Sequence, residues 1–180
     1  MALTRLELVM HPVRLRILTA LSGETMTTQQ LGEQLPDVPQ STLYRHLRLL
    51  LKGGMLGLAE TRLVNGIQEK TYKLVQSPRL TAEEMASLSL DEHLQTFTTY
   101  VMTLLAGFND YLQRQDDSDD IDMLADKVGY NEAVFYATDA EMDALGLAIN
   151  QAILKLVGNE AGNGRKRRKF AIVSHPFPET

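Results

Sequence analysis

Between Gln40 and Arg48 the chain sets six side chains that can meet a nucleic acid: Gln40, Ser41, Thr42, Tyr44, Arg45 and Arg48. A glutamine amide can bond adenine through two atoms, short hydroxyls reach a phosphate or a base edge, and a guanidinium can fork onto guanine. Leu43, Leu47 and Leu50 are spaced four and three apart, which predicts a helix with one stripe in a core and the polar groups on the other side. Such a helix is equipped to lie in a DNA major groove. On this reading Gln40, Ser41, Tyr44 and Arg45 read sequence, Thr42 meets a phosphate or base edge, and Arg48 holds phosphate. Taken alone, the same pattern also fits an amphipathic surface helix.

The flanking elements decide how that helix is held. Pro12 can occupy a first helical turn, and Val13, Ile17, Leu18 and Leu21 form an apolar stripe that ends at Ser22-Gly23. Leu3, Leu6, Val9 and Met10 suggest a preceding helix suited to pack on a partner, or else a frayed end. Thr27 and Gln30 can cap each other reciprocally, with Met26 stapled to Leu31, so a short helix should start there and end near Leu35-Pro36. Pro36 to Pro39 then turn the chain into the helix from Gln40 to Lys52, which Gly53-Gly54 closes. This is the order of a helix-turn-helix. His46, beside Leu47, reads as a packing residue or a structural hydrogen-bond donor.

Two extended segments flank Asn65-Gly66. A two-residue turn pairs Val64 with Ile67 and splits the large apolar groups between faces. A three-residue loop, Val64 to Gly66, pairs Leu58 with Tyr72, Leu56 with Leu74 and Glu60 with Lys70, gathering them on one face, and is the expected geometry. The ribbon is then apolar at its base and carries Arg62, Asn65, Gln68 and Lys70 near its tip, as a wing touching phosphates or the minor groove requires. A solvated hairpin is the alternative.

In order and spacing, His11 to Leu18, Ser41 to Leu47 with Leu50 and Gly54-Met55, and Glu69 to Tyr72 resemble the ArsR-type winged helix-turn-helix of bacterial transcriptional regulators. The resemblance covers residues 5 to 76. It implies a homodimeric, sequence-specific DNA binder, commonly a repressor, engaged or released by an effector. Some members sense metals. Asp91 and His93 match half of their interhelical zinc site, but the other half falls on Leu104 and Gly107. With no cysteine and four scattered histidines, no metal site is expected.

Thr81 to Glu84 is a second capping box, predicted to open a helix that runs to about Gln115. Leu90, Leu94, Phe97, Val101, Leu104, Phe108 and Tyr111 follow a heptad seam along it. Some 34 residues of helix span about 50 Å, more than a small domain needs internally. The expectation is a dimerisation helix that sets two recognition helices about 34 Å apart; a core helix within one chain is the alternative. Beyond an acidic linker at 116–120, a short helix over 122–128, a strand at 133–137, a helix capped by Thr138 with Met142, Leu145, Ile149, Ala152 and Leu156 on one face, and a strand at 169–173 are predicted. Phe135, Tyr136, Phe170 and Phe177 make this a candidate effector pocket or second dimer contact.

The net charge of −5 divides unevenly: residues 1–79 hold ten Lys/Arg against six Asp/Glu, and residues 80–180 hold eight against seventeen. A basic module for an anionic partner and an acidic module of another kind are implied. Arg165 to Lys169, five consecutive cations, read either as a second DNA contact or as a charged strand edge answering an acidic surface. No phosphate-binding glycine loop, nucleophile elbow or zincin motif is present, so no enzyme and no cofactor are expected. The absence of a long apolar run or signal pattern points to a soluble cytoplasmic protein without membrane partners.

The expected architecture is mainly α with small β: a winged helix-turn-helix over 1–79, a long dimerisation helix over 80–115, and a small strand-helix-strand α/β domain over 116–180. The expected function is homodimeric transcription regulation on double-stranded DNA, with a small organic effector as a candidate partner. A winged-helix protein-interaction adaptor is the alternative.

Overall fold

The computed structural model describes residues 3–64, 66–115 and 122–178; Asn65 and the acidic run at 116–120 lie outside them. Two compact units divide the chain, 1–113 and 114–180. The fold is mixed α with a small three-stranded antiparallel sheet, a winged helix-turn-helix.

The first unit opens with α1 (Arg5–Val9), whose Thr4 and Glu7 form a capping box, and α2 (Pro12–Ala20), with Pro12 in its first turn. Strand β1 (Thr25–Thr27) leads into α3 (Thr28–Gln34), and α4 (Gln40–Lys52) follows the turn at 36–39. Thr27 does double duty. It ends β1 and accepts from the Gln30 backbone N–H at 3.2 Å, while the Gln30 side chain accepts from the Thr27 N–H at 2.8 Å. The core gathers Ile17, Leu18, Leu21, Leu31, Leu43, Leu47, Leu50 and Met55, all essentially fully buried, each such side chain contributing about 1.5–3 kcal/mol. Gly53 caps α4, and Gly54 takes a φ of +70°, a left-handed conformation that disfavours a side chain.

Strands β2 (Leu56–Val64) and β3 (Ile67–Leu74) form the wing, and β1 pairs on the far side of β3, giving the order β1-β3-β2. The third strand was not anticipated, because three residues beside a capping box carry no alternation of their own. The expected three-residue loop is also corrected: Val64 pairs with Ile67, a two-residue connection. Leu56 still pairs with Leu74, and Leu58 with Tyr72, because the register shifts between Leu58 and Glu60. A β-bulge at Ala59 absorbs one residue, so the apolar base keeps its register while the tip keeps its tight turn. Glu60 therefore faces Thr71, and Lys70 faces Thr61.

Arg5 ties α1 to the segment after the wing, donating to Glu84 and to the carbonyls of Ser77 at 2.7 Å and Arg79 at 2.8 Å. The helix expected to run unbroken from Thr81 is two helices, α5 (Ala82–Ala86) and α6 (Leu90–Gln115). A further capping pair divides them. Glu92 accepts from the Ser89 N–H at 2.8 Å, and Ser89 Oγ accepts from the Glu92 N–H at 3.3 Å. Ser89 thereby starts a new helix with extended backbone demand at its cap, which interrupts the old one.

In the second unit, α7 (Asp139–Val157) begins at the Thr138–Glu141 capping box and has no buried residue. The helix expected at 122–128 is one turn only. The Val128 N–H reaches the Met123 carbonyl at 2.8 Å and the Lys127 N–H reaches Leu124 at 3.0 Å, with Lys127 at φ 56°: a Schellman ending immediately after one turn. The strands expected at 133–137 and 169–173 are not formed; neither segment joins a ladder among the described residues. Two strands alone make a marginal sheet, and α7 gives them no buried face to pack on.

Candidate nucleic-acid interface

α4 sorts its side chains as a recognition element must. Leu43, Leu47 and Leu50 are sealed in the core, whereas Gln40, Ser41, Tyr44, Arg45 and Arg48 are exposed and Thr42 is half-buried. Pro39 is the N-cap and supplies no capping side chain, so the first turn of α4, beginning at the exposed Gln40 and Ser41, has no side-chain cap on its N–H groups, the condition under which a helix start can receive a phosphate.

Three charged or polar groups behind α4 fix its seat. His46 is 2% exposed, and its ring lies 4.5 Å from that of His11, tilted by 48°. Both nitrogens of His46, and Nδ1 of His11, find no hydrogen-bond partner among the described residues. Burial, followed by the positive fields of His11, Arg14 and Arg45, lowers the His46 pKa to about 4, and burial with Arg14 lowers that of His11. The pair is therefore neutral near pH 7 and packs as two aromatic rings.

Arg14, also buried, donates to the carbonyls of Leu8 at 2.7 Å and Glu7 at 2.5 Å, answering the open C-terminal end of α1. Arg16 makes the longest connection. Its guanidinium forks onto Asp37 at 2.6 and 2.7 Å and also reaches Asp110 at 3.0 Å, joining α2, the turn before α4, and α6. The hydrogen bonds from Arg16 hold the Asp37 carboxyl below its ordinary range. Beside this ion triad lies a groove of about 340 Å³ lined by Pro36, Asp37, Ala106, Asn109, Asp110 and Gln113.

The wing residues are brought near one another but not onto one face. Direct partners share a face, so Gln68 (opposite Leu63) and Lys70 (opposite Thr61) point one way, and Arg62 (opposite Glu69) points the other. Arg62 donates to Glu60 at 2.5 Å, and its charge is balanced locally by Glu60 and Glu69. Gln68 and Lys70 are thus the better-placed wing contacts.

Residues 9–57 match a helix-turn-helix domain family. The matched span runs from the end of α1 through α4 to the first residues of the wing, and it supports a DNA-binding regulator. No curated protein matches the chain. No helix among the described residues is long and apolar enough to cross a membrane. No group of three or more His, Asp or Glu among them is arranged to hold a metal ion.

Arg14, Arg16, Asp37, Asp110 and His11 escaped the sequence reading as parts of this site. Arg14 and Arg16 interrupt the apolar stripe of α2, and a period of 3.6 treats charged positions as solvent-facing. A signal was nonetheless present in Arg16, which sits among core positions of a short helix.

Proposed function

We propose that the protein is a sequence-specific, homodimeric transcriptional regulator, most simply a repressor, that reads duplex DNA with Gln40, Ser41, Tyr44 and Arg45. The observation that carries the reading is the division of α4 into a sealed leucine stripe and an exposed polar and cationic face at the end of a helix-turn-helix. Thr42 and Arg48 serve phosphates, and Gln68 and Lys70 add wing contacts. Selection of bound genomic fragments at two salt concentrations tests the reading: enrichment of one sequence supports it, and uniform salt-sensitive retention removes sequence specificity.

Dimerisation is supported by α6. Leu90 is 88% exposed and Leu94 65%, and Phe97 and Val101 continue the stripe into solvent, an unpartnered apolar line at heptad spacing. Leu104, Phe108 and Tyr111 are half-buried within their own chain, so the seam offered to a second copy is concentrated in the N-terminal half of α6. An organic effector is best accommodated in the groove beside Arg16, where occupancy reaches both Asp37 and α6.

The adaptor alternative draws on Leu63, 74% exposed, and Val64 at the wing tip. The same selection separates the two, since an adaptor retains no preferred sequence.

A further inference from the structure

α7 is apolar around most of its circumference. Of its 19 residues only Asp139, Glu141, Asp143, Asn150, Gln151 and Lys155 are polar, and Ala144 to Ile149 form an unbroken apolar run. A helix of that composition belongs in an interior. Yet no residue of α7 is buried among the described residues, and Leu156 is 66% exposed. A helix of this length is marginal in water without a packed face.

One face is built to be covered. Met142, Leu145, Ile149, Ala152 and Leu156 are spaced three, four, three and four apart, a heptad seam of two repeats. Glu141 and Lys155 each stand one position before a seam residue, Met142 and Leu156, so both flank the same edge of the seam. The opposite edge holds Gly146 and Ile153 and carries no charge.

Those flanks select the occupant. A two-fold axis that sets two copies of α7 antiparallel brings each edge against itself, whereas one that sets them parallel brings each edge against the other. Only the antiparallel pair therefore joins Glu141 of each copy to Lys155 of the other, with the small Ala148, midway between them, at the axis. Glu141 accepts from Thr138 through Oε2, so its cap and this pair can use different oxygens. Lys155 is exposed in the last turn of the helix. The antiparallel pair also opposes the two helix dipoles.

We propose that α7 packs antiparallel on α7 of a second copy of this chain. The proposal rests on the homodimer proposed above and gives it a second contact, one too short at two heptads to sustain the dimer without the α6 seam.

The test uses the full chain, which has no cysteine, so a single introduced cysteine carries a spin label at one known place. L147C and L154C occupy exposed positions away from the seam, one and six residues from Ala148. Antiparallel pairing separates the two labels along the helices by about 3 Å at 147 and about 18 Å at 154, so the inter-label distance should be longer at 154. K155E turns both cross-pairs from attraction to repulsion and should raise the dimer dissociation constant at least about fivefold in sedimentation, with unchanged helical circular dichroism. Equal distances at the two sites, a longer one at 147, no measurable distance, or an unchanged dissociation constant in K155E overturns the α7 contact while the α6 dimer stands. A wild-type chain that stays monomeric at every concentration overturns both.

Discussion

Arg16 Nη2 lies 3.0 Å from Asp110 Oδ2 on α6, while the same guanidinium grips Asp37 in the turn that delivers α4. One side chain thus links the helix proposed for dimerisation to the approach of the helix proposed for recognition. Arg16 is 9% exposed, Asp110 16% and Asp37 57%, so two members of the triad are largely desolvated and one remains wet.

Replacing Arg16 by Met strands the Asp110 carboxylate without its cation. A loss of about 3 kcal/mol is expected, at the low end for a broken buried pair because Asp37 can rehydrate. Urea unfolding measures it. A loss below about 0.5 kcal/mol would mean that the triad is no better than a surface pair.

Acid should loosen the seat of α4. The His46 pKa is about 4 in the folded protein against an ordinary 6.5, so the unfolded chain binds the proton first. Its contribution is complete above pH 6.5, declines as the pH falls from 6.5 to 4, and levels off below that. The decline amounts to about 3 kcal/mol, and His11 adds in the same direction. In His46→Leu, urea midpoints measured from pH 8 to pH 4.5 should fall less steeply than in the wild type; parallel curves would remove His46 from the account.

Cations of the interface should separate by what holds them. Arg45→Ala should weaken operator binding by about 1–3 kcal/mol and relax discrimination at one base pair. Lys70→Ala should reduce the salt slope by about 0.9. Arg62→Ala should change it less, because Glu60 already balances that charge. Titrations at matched salt decide, and equal effects of Arg62 and Lys70 would contradict the face assignment.

Charge on the exposed stripe of α6 should separate assembly from folding. Leu94→Glu with Val101→Glu should give a folded monomer by light scattering, with an unchanged helical circular dichroism signal and weaker operator binding. A dimer of undiminished stability would place the seam elsewhere.

Local chemistry was legible residue by residue. The Thr27–Gln30 and Thr138–Glu141 boxes, the leucine stripe of α4 and its end at Gly53 all depend on neighbours within four positions, and each forms where the spacing predicts. The break at Ser89 was written in the same terms and was outweighed by the long apolar period across it. Other features needed the tertiary structure. β1 exists because β3 offers it a free edge, the bulge at Ala59 reconciles a core-facing base with a tight turn, and the segments at 133–137 and 169–173 find no ladder among the described residues. Arg16 joins residues 21 and 94 positions away, and His46 is neutral because of what surrounds it. Sequence alone determined which residues could face a nucleic acid, since helical period and capping are local. Tertiary structure decided which charges remain available to do so, because pairing, burial and strand register are set by groups distant in the chain.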